Sequence, residues 1–132
     1  MPPEFDIWHI AIPVKNLEKS VEFYTSLGFT LTGRDEFAAK KQAFVATKPG
    51  GFNIELFEPK NSTKTPQRPD HLAFECTNIS SFRKTLSPEN AAHLITDIEE
   101  FDNGVKYFEI KDPDGVSVQF FEGRKIYENS IK

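Results

Sequence analysis

Two histidines, one glutamate and one glutamine could together hold a metal ion. They are His9, Glu55, His71 and Gln119. Imidazole nitrogen with carboxylate and amide oxygen suits Zn, Ni, Co, Mn or Fe(II), whereas Ca and Mg take all-oxygen cages. Four such ligands on a six-coordinate ion leave two positions for water or for a substrate that binds through two neighbouring oxygens. We therefore predict one divalent metal ion, acting as a Lewis acid.

The four residues occupy equivalent places in an internal repeat. The segment around His9, WHIAI, is repeated around His71 as DHLAF. The segment around Glu55, IELFE, is repeated around Gln119 as VQFFE. Because the matches follow in the same order, duplication is the simplest explanation.

Each copy predicts the same order of elements, βαβββ. In the first copy we expect a helix from Asn16 to Gly28 and strands at 6–14, 29–36, 41–47 and 51–58. In the second copy we expect a helix at 79–86 and strands at 69–76, 92–98, 104–111 and 116–122. The predicted single domain therefore comprises module one (5–58), a linker (59–68), module two (69–123) and a C-terminal tail (124–132).

Alternation along the strands predicts that the four candidate ligands lie on the sheet faces that the helices do not cover. In the first strand, the buried, helix-facing side is predicted to consist of Trp8, Ile10, Ile12 and Val14. His9 then points to the opposite face. Glu55 and Gln119 likewise alternate with apolar neighbours. If the sheets curl around a common cleft, the four side chains meet inside it.

Several other polar residues have structural interpretations. Glu58 and Glu122 lie three positions beyond the predicted ligands, hence on the opposite face, and are expected to be solvated strand ends. Glu75 is expected at the rim of the strand that carries His71. Cys76 is expected to be a small core residue and His93 a surface residue.

Four stretches resemble the glyoxalase/bleomycin-resistance/extradiol-dioxygenase group, the vicinal oxygen chelate superfamily. They read HIAIPVKNLEKSVEFYTSLGF, GGFNIELFEP, DHLAFECTN and KDPDGVSVQFFEG. The resemblance implies an α+β fold in which two tandem βαβββ modules form a U-shaped cleft of mostly antiparallel sheet. It also implies metal ligands at the four positions selected above, and a homodimer.

Within that superfamily, the pattern is most similar to bacterial-type lactoylglutathione lyase (glyoxalase I), which has Glu where this chain has Gln119. An amide cannot abstract a proton, so Glu55 is predicted to be the catalytic acid–base residue. The resemblance implies a small substrate, such as a glutathione or other thiol adduct, and places Arg34 near a glutathione carboxylate. Phe57 and Phe121 are predicted either to line the substrate pocket or to form the core between the modules.

The chief alternative is a non-catalytic protein that sequesters a small molecule, as bleomycin-resistance proteins do. Such proteins typically lack the metal residues that this chain keeps, which favours an enzyme. Among the other chemistries of the superfamily, methylmalonyl-CoA epimerases also combine two His, one Glu and one Gln, but with Gln and Glu at the opposite places. Extradiol dioxygenases need the last-strand Glu as a ligand and fit less well.

Composition excludes several broad classes. The net charge is −4, which disfavours nucleic acid and anionic membranes as partners. No apolar run approaches the ~20 residues of a membrane span, and the N-terminus lacks the features of a secretory signal. The single cysteine, Cys76, cannot form an internal disulfide. These features predict a cytoplasmic protein.

Overall fold

The computed structural model describes residues 7–37, 40–59 and 67–128. Most of the predicted linker (59–68) and the end of the predicted tail lie outside this range. The chain divides into two compact units, Met1–Arg68 and Pro69–Lys132, which we call the first and the second unit.

Both units have the predicted βαβββ order, which confirms the α+β fold. The first unit contains β1 (His9–Pro13), α1 (Leu17–Ser26), β2 (Thr30–Phe37), β3 (Lys40–Ala46) and β4 (Asn53–Glu58). The second unit contains β5 (His71–Glu75), α2 (Ile79–Lys84), α3 (Pro88–Ala91), β6 (Leu94–Glu100), β7 (Lys106–Lys111), β8 (Ser117–Glu122) and α4 (Arg124–Glu128). None of the helices in the described residues is long and apolar enough to span a bilayer.

The two sheets have the same topology. Their strand orders are β1-β4-β3-β2 and β5-β8-β7-β6. In each sheet the first and last strands of the unit pair in parallel, and the other pairs are antiparallel. A parallel pair needs a long crossover, which here runs through the helix and the two intervening strands. In each unit the first strand is therefore hydrogen-bonded to the last.

The apolar face of each sheet packs on the helices as alternation predicts. Ile54 and Leu56 of β4 and Val118 of β8 are at most 1% exposed. In the second unit, Phe120 packs between the rings of Phe82 and Phe108, at centroid distances of 4.8 and 5.3 Å. The opposite faces are left to polar and aromatic residues, among them the candidate ligands.

The predicted burial of Trp8 and Ile10 is wrong. They are 67% and 44% exposed, whereas Ile12 and Val14 are buried. β1 is an edge strand, and α1 packs mainly over β2, β3 and β4. Alternation holds for Ile12 and Val14. Trp8 precedes β1, and its ring lies against the rings of His9 and Phe44, on the face that alternation assigned to His9.

A further helix, α3, was not predicted from the sequence. Its signals are nevertheless local: the Ser87 side chain accepts a hydrogen bond from the Asn90 N–H, and Pro88 occupies the first turn. Serine at the N-cap followed by proline is a common helix start.

Glu58 and Glu122 are not the solvated strand ends that the sequence predicted. The Glu58 carboxylate accepts a hydrogen bond from the Leu17 N–H at 2.8 Å, at the beginning of α1. Glu122 accepts the Ile79 N–H at 2.9 Å, at the beginning of α2. Both carboxylates are half-buried. The last strand of each unit therefore holds the start of that unit's helix.

In both units the start of the helix has a second cap, which is an asparagine side chain. Asn16 accepts from the Lys19 N–H and Asn78 accepts from the Ser81 N–H, each at 3.0 Å. Together with the glutamates, these amides satisfy backbone donors that a helix cannot satisfy internally.

We expect Glu58→Ala to lower the free energy of unfolding by about 1–2 kcal/mol, because it leaves a half-buried helix N–H without its acceptor. Urea unfolding followed by circular dichroism measures the change. Glu58→Gln keeps an accepting oxygen and should retain most of the stability. Glu22→Ala, at an exposed position of α1, is the control and should have a small effect. Equal stability of the Glu58→Ala and Glu22→Ala proteins would contradict this role.

Candidate functional site

The parallel strand pair of the first unit brings His9 and Glu55 together. In the register of β1 and β4, His9 lies opposite Asn53 and Ala11 opposite Glu55. The two side chains are therefore diagonal neighbours on one face of the sheet. Their reactive atoms meet: His9 Nε2 is 3.3 Å from Glu55 Oε1.

Glu55 is a buried acidic residue, with 6% of its surface exposed. Taking a carboxylate out of water is costly unless a positive charge or hydrogen-bond donors compensate. A cation bound by both the adjacent imidazole and the carboxylate would supply that positive charge. The His9–Glu55 pair is thus a favourable position for a positive charge.

The surroundings of His9 are apolar on one side. Its ring makes edge contacts with Trp8 and Phe44, at centroid distances of 4.3 and 5.2 Å. Its Nδ1 atom is buried, and none of the described residues forms a hydrogen bond with it. These rings restrict how the imidazole can turn, because Trp8 and Phe44 also stack on each other.

The second unit repeats the diagonal arrangement with different partners. His71 lies opposite Ser117 and Ala73 opposite Gln119 in the register of β5 and β8. His71 Nδ1 is 2.9 Å from the Asp70 carboxylate. When Nδ1 carries the ring hydrogen, Nε2 keeps its lone pair for a metal or a substrate. Asp70 thus corresponds to the carboxylate that commonly forms a hydrogen bond with a metal-binding histidine.

Gln119 has a carboxylate partner that sequence reasoning missed. Its Nε2 donates a hydrogen bond to Glu109 Oε2 at 3.2 Å, across the β7–β8 pair. Ser117 and Thr96 also donate to Glu109. These hydrogen bonds, chiefly that of Ser117, hold the pKa of Glu109 below its usual value. Alternation in KYFEIK indicates that Glu109 shares a face with Tyr107, a signal that could have identified it.

The donor set of these residues fits a divalent cation. Two ligand atoms each about 2.1 Å from one ion lie roughly 3.0–3.4 Å apart, a range that includes the His9–Glu55 separation of 3.3 Å. The hydrogen bond between the His71 ring and Asp70 is a further feature of histidine ligands. Within the described ranges, however, no group of three or more His, Cys, Asp or Glu side chains could hold a metal ion. The four-residue metal site remains a prediction.

The predicted substrate contacts lie in different environments. Arg34 on β2 forms an ion pair with the exposed Glu18 of α1. Phe57 lies on the Glu55 side of β4 and is half-buried. The roles of Arg34 and Phe57 in substrate binding remain predictions.

Phe121 lines a cavity of about 350 Å³ in the second unit, with Ala73, Phe74, Glu75 and Arg124. Its ring stacks on Tyr107 at 5.2 Å, and Tyr107 stacks on Phe101 at the same distance. Glu75 is 3.7 Å from the Arg124 guanidinium. This cavity combines aromatic walls with an ion pair at its edge.

Known proteins resemble this chain over nearly all of its length. The family model for the Glyoxalase/Bleomycin resistance protein/Dioxygenase superfamily matches residues 6–120. A solved glyoxylase/bleomycin resistance protein/dioxygenase domain from Frankia sp. EAN1pec is 23% identical, with a TM-score of 0.73, covering 93% of this chain and 95% of that one. A lactoylglutathione lyase from Agrobacterium tumefaciens is 18% identical, with a TM-score of 0.65, covering 94% and 98%. At these identities the solved structures confirm the fold.

Cys76 provides a measurable test of the electrostatics at the end of β5. Partial burial, with the nearby carboxylates of Glu122 and Glu75, raises its pKa to about 11. Since the thiolate is the reactive form, a pKa raised from 9.0 to about 11 lowers the thiolate fraction at pH 8 from roughly 9% to about 0.1%. We expect iodoacetamide to alkylate the native protein at least ~10-fold more slowly than the urea-unfolded protein at pH 8.

The alkylation rate should rise steeply between pH 9 and pH 11. Glu75→Gln removes one of the neighbouring charges and should shift that rise to lower pH. Native and unfolded proteins that react at the same rate, or a rate that levels off below pH 9, would contradict the raised pKa.

Proposed function

We propose a function on the premise that the chain belongs to the Glyoxalase/Bleomycin resistance protein/Dioxygenase superfamily, whose model matches residues 6–120. The proposed function is that of a metal-dependent, glyoxalase-like lyase or isomerase. Its substrate is a small molecule, such as a glutathione or other thiol adduct, that presents two vicinal oxygens. One divalent ion is proposed to be held by His9, Glu55, His71 and Gln119.

One observation carries this proposal: the 3.3 Å approach of His9 Nε2 to the buried carboxylate of Glu55. The same diagonal register in the second unit gives His71 and Gln119 equivalent positions. The two units thus offer matching pairs of donors.

The bound ion would supply Lewis acidity, drawing electrons from two substrate oxygens. Glu55 is proposed to move the substrate proton, because it is the carboxylate among the four residues. Gln119 contributes an oxygen without charge. Arg34 would meet a substrate carboxylate by exchanging its exposed partner Glu18, since exposed ion pairs are weak.

Metal analysis of untagged protein tests the proposed metal site. We expect about one divalent ion per wild-type chain and its loss in both His9→Ala and His71→Ala, because each removes one imidazole. His93→Ala is the matched control: this exposed third histidine should leave the metal content unchanged. Metal-free wild-type protein would contradict the enzyme and favour a protein that only sequesters a small molecule.

Turnover of the methylglyoxal–glutathione hemithioacetal tests the role of position 119. The wild-type protein should be slow, because Gln119 cannot accept a proton. The double variant Glu109→Gln/Gln119→Glu supplies a carboxylate without placing it against Glu109, and we expect kcat to rise by about 10²-fold or more. The double variant with unchanged kcat and full metal content would contradict the proposed role of this position.

A further inference from the structure

Two residues that occupy equivalent places in the repeat, Glu55 and Gln119, differ in one chemical respect. The oxygens of a carboxylate are alike, so Glu55 presents an oxygen whichever way its end turns. The amide of Gln119 has two unlike ends, one that accepts and one that donates. At a given position, only one of the two orientations of the amide presents its oxygen. That oxygen is the atom that can bind a cation or accept a hydrogen bond from a substrate.

The neighbouring strands differ at the corresponding position. In the first unit, Phe44 of β3 lies opposite Glu55. In the second unit, Glu109 of β7 lies opposite Gln119. The second unit thus has a carboxylate, where the first has an aromatic ring, beside the one residue of the pair that needs to be oriented.

Glu109 can accept only one end of that amide. Its carboxylate accepts from Gln119 Nε2 at 3.2 Å and from Ser117 Oγ at 2.5 Å. Turning the Gln119 amide over would place its oxygen against a carboxylate oxygen, two acceptors with no hydrogen between them. The Ser117 and Thr96 hydroxyls in turn fix the Glu109 carboxylate from other directions.

From this arrangement we propose that Glu109 is a positioning residue, which holds the Gln119 amide so that its Oε1 is presented as the ligand atom. The inference rests on the proposed function, because the species that Oε1 of Gln119 would bind is the divalent cation proposed there. It assigns Glu109 no contact with the cation, because its oxygens already accept from three side chains. Because Nε2 donates to Glu109, Oε1 is the atom of the Gln119 amide that can serve as a ligand.

The orientation can be tested on metal-free protein. We expect the side-chain NH₂ of Gln119 to give two well-separated proton signals that exchange slowly in a ¹⁵N–¹H spectrum, assigned by their absence in Gln119→Leu. Glu109→Ala should move them to the positions of an exposed glutamine. Glu99→Ala, which removes an exposed carboxylate from β6 of the same sheet, should leave them unchanged. Unchanged Gln119 signals in Glu109→Ala would overturn the proposal.

Metal affinity tests whether the orientation of the Gln119 amide affects binding of the cation. Titration with Co²⁺ should give a Kd raised by about 10-fold or more in Glu109→Ala, as is usual when the partner of a ligand is removed. Glu109→Gln, which keeps an accepting oxygen, should retain part of the affinity. In a Gln119→Ala background, the same Glu109→Ala change should alter Kd by less than about twofold, because Glu109 acts through Gln119.

The possible outcomes separate the two proposals. Loss of affinity on Glu109→Ala that is equally large in the Gln119→Ala background would make Glu109 a direct ligand and overturn the positioning role. Wild-type protein that binds no Co²⁺ would overturn the proposed function together with the ligand role of Oε1. The NMR measurement would still decide separately whether Glu109 orients the amide.

Discussion

The parallel pairing of the first strand of each unit with its last is the constraint on which the rest of the structure depends. It sets a histidine two register positions from Glu55 or Gln119 on the same sheet face. It also brings the end of the last strand to the start of the helix, where Glu58 and Glu122 accept backbone N–H groups. One register therefore positions both the candidate ligands and the caps that hold each helix in place.

The two units use this shared frame differently. The first buries the carboxyl group of Glu55 against an imidazole among aromatic rings. The second places an amide within a network of hydrogen bonds centred on Glu109. The two units thus share the backbone register and differ in the residue opposite the candidate ligand, which is Phe44 beside Glu55 and Glu109 beside Gln119.

The sequence was sufficient to predict the repeat, the βαβββ order and the faces of most strands, because these follow from local patterns. Alternation could not predict that Ile10 is exposed, since it does not report how far α1 extends over the sheet. Nor could it predict that Trp8, which precedes β1, lies against the rings of His9 and Phe44. It also could not reveal the partners of Glu58 or Glu109. Those partners depend on the register between strands distant in sequence, which only the folded structure specifies.

X-ray absorption spectroscopy of wild-type protein loaded with one equivalent of Zn²⁺ tests the central claim most directly, because it counts the ligands around the metal. The account predicts two imidazoles per ion, with oxygen as the remaining donor and no sulfur. A single imidazole, a first shell of oxygen alone, or a sulfur contributed by Cys76 would contradict it.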